Sequence, residues 1–288
     1  MINLSGERLE RSHIDEFNDC INKLGARFSE YAFANLFLFR KQHDYRVLRE
    51  KGHLFLQGIT YDGSRYIMPF SPVREIPAEL LNGFMKDGFS LFPIHENDLP
   101  YFTSRFGASF DHNSDDSDYI YTREKIEKLP GRYLHKKRNL IKQYRTLYSY
   151  EDIEYDCSLA PDALKALDRW FELSGLPLED TDYAACSEAI NDCAFLNLKG
   201  MAFYADSVPV GFLLGEPLNA ETFVFHFAKG VTAFKGIYAH MYNSFALSLP
   251  KNYKFLNLEQ DLGKENLRQA KSTYLQDDLL KKYRVKLN

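Results

Sequence analysis

A chain of 288 residues, 45% hydrophobic and 26% charged, has an ordinary globular makeup and length for about two domains. Disorder, a collagen helix and a coiled coil are thereby excluded, while 19 Tyr and 23 Phe suit sheet-rich cores and stacking pockets. The net charge of −4 excludes a surface that coats polyanions everywhere, so any phosphate-bearing partner must meet a local basic patch.

The opening MINLSGERLERSH lacks an apolar core, and no secretory leader is expected. A helix is predicted over Ser12–Leu24, with Ser12 as N-cap, Ile14, Phe17, Ile21 and Leu24 on one face, and Gly25 as its stop. Antiparallel strands are predicted at Tyr45–Arg49, His53–Thr60 and Arg65–Phe70, the last two joined through Asp62-Gly63. A helix at Pro77–Lys86, a buried strand at Phe89–Ile94 and a short helix at Asp98–Phe106 follow. The hydrophilic stretch Asp111–Asp118 reads as a solvated loop. It fails as a calcium loop, because its sixth position is Asp116 rather than Gly and its twelfth is Thr122 rather than Glu.

Beyond that loop, a strand at Tyr119–Thr122 leads to helices at Tyr133–Tyr148, Pro161–Leu173 and Asp182–Leu196. Strands at Gly200–Ala205, Pro209–Gly215 and Thr222–Ala228 come next. A helix (Lys235–Leu249), a strand (Phe255–Gln260), a short helix (Leu267–Tyr274) and a terminal strand (Tyr283–Leu287) complete the order. Each half runs helices, antiparallel strands, helix, strand, which predicts the α+β class with a repeated unit, divided as 1–115 and 116–288. The longest apolar run, Ala32–Phe39, is eight residues against the ~20 that cross a bilayer. A soluble, cytoplasmic protein with no transmembrane segment is the expectation. Cys20, Cys157, Cys186 and Cys193 form no CxxC pair and no cluster with His, so four reduced thiols and no metal site are expected.

Two segments carry unusual chemistry. Between Arg123 and Arg145, nine Lys/Arg face two Glu, a local +7 in an acidic chain. On a helix over Tyr133–Tyr148, His135, Arg138, Lys142 and Arg145 share one wedge, with Tyr133, Leu140, Tyr144, Leu147 and Tyr148 opposite. Lys137 falls within the apolar stripe, where it must snorkel, pair with a carboxylate or point into a polar pocket. The run His135-Lys136-Lys137-Arg138-Asn139 is therefore either an anion site, for a nucleotide, RNA or lipid headgroup, or a solvated basic face.

In the second segment, strand alternation sends Leu256 and Leu258 to one face and Asn257, Glu259 and Asp261 to the other. Gly263 permits a sharp turn, and Arg268 and Lys271 share a face of the helix beyond it. Two acids and two bases so placed form either a structural ion-pair lattice or a general base with an anion clamp. His226 shares a strand face with Val224 and Ala228, as a core histidine or as a pocket wall. Tyr238, on the following helix, is a candidate proton donor, and Lys229 a candidate anion ligand before it. The GxSxG, HExxH, P-loop and Rossmann glycine patterns are missing, which removes the common hydrolase, metalloprotease, NTPase and dehydrogenase readings.

Taken together, HKKRN at 135–139, FHFAKG at 225–230, FKGIY at 234–238 and EQDLG…LRQAKSTY…KKYRV at 259–285 resemble a known family. It comprises uncharacterised bacterial proteins related to the C-terminal catalytic domain of phosphatidylglycerol lysyltransferase. The resemblance spans nearly the whole chain and is most specific from Tyr119 onward. It implies two tandem GNAT-type units with mixed, mostly antiparallel sheets flanked by helices, akin to the Fem peptidyltransferases that move amino acids from aminoacyl-tRNA. It places the family's polar cluster on His135, Lys136, Lys137, Arg138, Asn139, Glu259, Asp261, Gly263, Arg268 and Lys271. The chain is expected to differ from the full lysyltransferases in having no membrane-spanning flippase. It differs from CoA-binding members of the fold as well. They present (Gln/Arg)-x-x-Gly-x-(Gly/Ala) to a pyrophosphate, where this chain has Lys229-Gly-Val-Thr-Ala-Phe-Lys-Gly236.

The resulting expectation is a transferase that moves an aminoacyl or acyl group from an activated donor, aminoacyl-tRNA among the candidates, to an amine or hydroxyl, with no cofactor required. Glu259 or Asp261 accepts the proton and Tyr238 is a further acid. Lys137, Arg138, Arg268 and Lys271, with His135, Lys136, Asn139, His226 and Lys229, hold donor or acceptor. A cleft between the halves is the expected place. An acyl-CoA-dependent N-acyltransferase and a non-catalytic module binding RNA or anionic lipid are the alternatives.

Overall fold

Alternating apolar residues build two seven-stranded mixed sheets, each flanked by helices, in a computed structural model that describes residues 5–287. Residues 1–4 and 288, which the sequence reading took into its first and second domains, lie outside the described residues. The predicted α+β class is the class observed.

The first sheet holds β1 (Glu7–Arg8), β2 (Arg46–Glu50), β3 (His53–Ile59), β4 (Arg65–Pro69), β5 (Ser90–Ile94) and β6 (Ser109–His112). It also takes β14 (Tyr283–Lys286) between β5 and β6. Helices α1 (Ile14–Leu24), α2 (Phe33–Phe39), α3 (Ala78–Lys86) and α4 (Leu99–Phe106) accompany it. β2, β3 and β4 form an antiparallel meander, and α3 returns the chain so that β5 runs parallel to β4. Phe55, Ile67, Leu91 and Val285 on one sheet face pack with Leu81 and Phe84 of α3 and Phe102 of α4.

The second sheet follows the same plan. It comprises β7 (Asp118–Thr122), β8 (Tyr150–Glu154), β9 (Lys199–Ala205), β10 (Val208–Pro217), β11 (Thr222–Gly230), β12 (Phe255–Asn257) and β13 (Asp278–Leu280). Its helices are α5 (Arg123–Lys128), α6 (His135–Leu147), α7 (Ala160–Ser174), α8 (Tyr183–Asn191), α9 (Ile237–Ser248) and α10 (Glu265–Ser272). β9, β10 and β11 form the meander, α9 is the return helix, and β12 runs parallel to β11. Phe223 and Phe225 of β11 pack edge-on to Phe245 of α9, with ring centroids 5.4 and 5.3 Å apart.

In each sheet the sixth place goes to a strand from elsewhere in the order. β7 follows β6 in the chain but pairs with β12, and β14 follows β13 but pairs with β5 and β6. The compact units are accordingly not the contiguous halves 1–115 and 116–288. Among the described residues, one contains 5–118, Gln260–Lys264 and 279–287; the other contains Tyr119–Glu259 and Glu265–Asp278.

Other differences have local causes. The run Phe33–Phe39 is a buried helix, hydrophobic on all sides and therefore without a period to read. Ser12 sits inside a short 3-10 turn, so His13 rather than Ser12 precedes α1, whereas Gly25 closes it in the left-handed conformation as predicted. The stretch Asp111–Asp118 is only partly loop, since it contains the end of β6, a 3-10 turn and the first residue of β7. Cys157 and Cys193 form a disulfide, with Cα atoms 6.3 Å apart, which corrects the expectation of four thiols; Cys20 and Cys186 are free. Their 36-residue separation gave no hint that the start of α7 meets the end of α8. Among the described residues, no helix is long and apolar enough to cross a membrane.

Candidate functional site

The ladder of β12 ends at Asn257, and this changes the meaning of the acids that follow it. Glu259 leaves the strand with a left-handed backbone, φ +57°. The alternation that was to align Asn257, Glu259 and Asp261 does not reach them. Instead the Glu259 N–H donates to Asn257 Oδ1 at 2.7 Å, and its carbonyl accepts from Tyr119 N and from Lys271 Nζ, both at 3.2 Å. Asp261 is buried within the first unit, and its Oδ1 accepts from Gly263 N at 2.9 Å. Gly263 holds φ +71°, a left-handed backbone in which a side chain is strained, and a Cβ there would also press on the Asp115 carboxylate at 2.8 Å. Asp261 thus closes a turn.

His226 of β11 lies between two carboxylates. Its Nδ1 meets Glu259 Oε1 at 2.8 Å and its Nε2 meets Glu216 Oε1 at 3.0 Å, with the imidazole 2% exposed. Burial opposes charge on the ring, but the bonds to Glu216 and Glu259 outweigh it and push the pKa up to about 10. Both ring nitrogens are spent on these carboxylates, so His226 does not serve as the predicted anion ligand; it orients Glu259. Replacing it with Leu leaves two carboxylates facing each other without their cation and is expected to cost about 3 kcal/mol in urea unfolding. The clamp's stabilisation is complete below the ordinary histidine pKa of 6.5 and is lost as pH rises through about 10. Melting temperatures of wild type and variant should therefore converge across that window.

Lys137 projects from α6 as the sequence stripe implied. Its ammonium lies 3.8 Å from the centroid of the Tyr274 ring, a cation–π contact. Burial, reinforced by neighbouring Lys136, lowers its pKa to about 8. No carboxylate pairs with it among the described residues. Tyr274 is itself buried, packed edge-on to Tyr242 and Tyr121.

A third cluster joins β11 to α9. Lys229 Nζ meets both Asp182 oxygens, at 2.6 and 2.8 Å, and lies 4.1 Å from the Trp170 ring. Burial opposes its charge and Asp182 outweighs that, raising its pKa. Tyr238 sits against Lys229, Trp170 and the Gly230 backbone; burial pushes its phenol up, and these contacts partly offset the push. Lys229 and Tyr238 are thus brought together, as part of a saturated ion-pair cluster. Trp170 and Asp182 were missed in the sequence, although a lone Trp was a signal.

The remaining predicted residues separate. Arg138 donates to the carbonyls of Leu129 and Gly131, capping the loop after α5. His135 and Lys136 are exposed in the first turn of α6, and Asn139 Nδ2 lies 3.5 Å from His135 Nδ1. Lys271 binds the Glu259 carbonyl and faces the Tyr119 ring at 5.7 Å, while Arg268 is half-buried on α10. The turn between β11 and α9 bonds four of its N–H groups within the protein. Val231 donates to Val210 O, Phe234 to Val231 O, Lys235 to Tyr148 Oη and Ile237 to Phe234 O. At Gly236, φ +93°, a Cβ would stand 2.3 Å from Leu140 O, so α6 closes directly on this turn. Among the described residues, no group of three or more His, Cys, Asp or Glu is placed to hold a metal ion.

Solved structures share this fold. A conserved protein of unknown function from Bacteroides thetaiotaomicron superposes with a TM-score of 0.88 at 24% identity, over 100% of both chains. L-PGS from Bacillus licheniformis gives 0.65 at 14% identity, over 98% of this chain and 93% of its own. FemX gives 0.63 at 8% identity, over 99% and 98%. The architecture is thus the tandem GNAT-like one that the sequence motifs implied. No curated protein matches the sequence. Residues 22–286, which contain every cluster described above, match the family described as phosphatidylglycerol lysyltransferase, C-terminal, and the chain belongs to that family.

Proposed function

We propose that this protein transfers an activated aminoacyl group, carried as an ester on tRNA, to a hydroxyl or amine acceptor of a lipid or peptide. Membership of the lysyltransferase C-terminal family and the fold shared with FemX support the transferase class. The observation that carries the reading is Lys137, a partly buried ammonium with no carboxylate beside it among the described residues. Such a charge is costly to hold and is compensated when an anionic or carbonyl oxygen arrives. His135 and Lys136, exposed in the same first turn, extend the positive region toward a phosphate-bearing donor. Glu259 is the proton acceptor. Its backbone is held in a strained conformation and its carboxylate is set by His226, which is the kind of fixed geometry that direct transfer between bound substrates requires.

An acyl-CoA donor has less support, because the β11–α9 turn carries Lys229-Gly-Val-Thr-Ala-Phe-Lys-Gly236 in place of the glycine pattern that presents free N–H groups to a pyrophosphate. The test is transfer of radiolabel from lysyl-tRNA or alanyl-tRNA to phosphatidylglycerol vesicles, with labelled acetyl-CoA and a lipid amine as the competing arm. Label should move from a tRNA, and the rate should fall as pH rises through about 8, where Lys137 loses its proton. Transfer from acetyl-CoA alone would establish the CoA alternative, and binding of tRNA or vesicles without transfer would establish a non-catalytic module.

A further inference from the structure

Buried tyrosines elsewhere in the chain find partners. Tyr31 donates to Pro69 O at 2.9 Å, Tyr66 to Tyr45 Oη at 3.1 Å, and Tyr121 to Lys271 O at 2.8 Å. Tyr274 does not. The residue is 4% exposed, and its hydroxyl oxygen is buried with no hydrogen-bond partner. An unpaired buried hydroxyl is a standing cost, and native proteins keep one where something else completes it. The unpaired hydroxyl belongs to the same ring that carries the uncompensated Lys137 ammonium.

We propose that Tyr274 donates its phenolic hydrogen to the acyl carbonyl oxygen of the donor during transfer, beside the ammonium of Lys137. This rests on the transferase reading given above and adds to it a second donor and its position. An ammonium 3.8 Å from the ring centroid and directly over it stands about 5 Å from the hydroxyl oxygen, a separation that one oxygen accepting from both would span with two hydrogen bonds of about 2.8 Å. The acceptor's nitrogen or oxygen attacks the carbonyl carbon of the ester and forms the new bond. The carbonyl π pair moves onto oxygen, and the Tyr274 hydroxyl and Lys137 ammonium hold that oxyanion. Collapse breaks the bond to the ribose oxygen, which leaves with the proton that the acceptor gave up through Glu259. Burial keeps the phenol of Tyr274 protonated, as a donor must be.

Tyr274→Phe removes only the hydroxyl. We expect kcat to fall about 100-fold, KM for aminoacyl-tRNA to stay within about twofold, and the melting temperature to hold or rise, since no bond in the free protein is lost. A second arm measures binding of a phosphonate analogue of lysyl-adenosine, whose oxygens mimic the tetrahedral intermediate, and should show at least a tenfold weaker Kd in the variant. Unchanged kcat and unchanged analogue affinity overturn the proposal. So does a lowered melting temperature with kcat intact, which would assign the hydroxyl to a structural water. If wild type transfers nothing yet binds the analogue more tightly than the variant does, the turnover reading fails while the role of the hydroxyl stands. If wild type shows neither transfer nor binding, both fall.

Discussion

Lys282→Ala should cost the first unit about 3–5 kcal/mol of stability, the penalty of leaving buried carboxylates without their cation. Lys282 is fully buried, and its ammonium meets Asp118 Oδ1 and Glu30 Oε1, each at 2.7 Å, with Ser29 Oγ and Gln260 Oε1 at 3.3 Å. Asp118 is equally buried and also accepts from the Ser29 backbone and hydroxyl, both at 2.8 Å. Removing the lysine leaves fully buried Asp118 and largely buried Glu30 without their cation, and set against a typical total of about 5–15 kcal/mol the loss is large. A Lys282→Met/Asp118→Asn double variant should recover part of it, because it removes the fully buried acid and leaves only Glu30 without its cation. Thermal and urea unfolding check both. Equal losses in the single and double variants would show that the cost lies in packing.

The same cluster makes stability fall with pH. Burial, with Asp118 adding to it and Lys282 opposing it, lifts the Glu30 pKa from 4.5 to about 7. The folded state therefore holds a proton that the unfolded state releases between those values. Its stabilisation is complete below 4.5 and lost as pH rises through 7, and Glu30→Gln should flatten that slope.

Lys137→Met is expected to do two opposite things. Transfer should drop by about 10²–10³, the usual loss when one oxyanion donor is removed. The melting temperature should rise at pH 7, because the variant deletes an uncompensated cation and lays a thioether of similar length on the Tyr274 ring. The linkage has a defined sign. The folded pKa of about 8 lies below the unfolded 10.5, so the unfolded state binds more protons between them and wild-type stability gains with pH across that window. The stability advantage of the variant should therefore shrink from pH 8 to 10.5. A variant that melts lower at pH 7 would mark Lys137 as a structural residue.

The parts of this molecule that were legible in the sequence are those with a local rule. Lys137 was legible because a cation breaks an apolar helical stripe, and Gly25 and Gly263 because their turns demand a left-handed backbone. The partner of Lys137 was not legible, since Tyr274 lies beyond α10 and nothing in its neighbours marks an unpaired hydroxyl. Lys282 stands beside exposed Lys281, and only the tertiary structure decides which of the two is buried. The shared strand face expected for Asn257, Glu259 and Asp261 was misread for a physical reason. Alternation was extended past Asn257, where the ladder stops and the backbone turns left-handed, so one acid meets a histidine and the other closes a turn. The strand character of residues 119–122 was visible, but pairing is a property of the sheet rather than of the segment.

That pairing sets an order of events on the ribosome. β1 to β6 leave the exit tunnel first, yet the place between β5 and β6 waits for residues 283–286, after every strand of the second sheet has been made. Until then β5 and β6 present unsatisfied ladder groups, an open invitation to mispairing or to a holding chaperone. A frameshift or premature stop ahead of codon 283 would thus remove an interior strand, and with it the fully buried Val285.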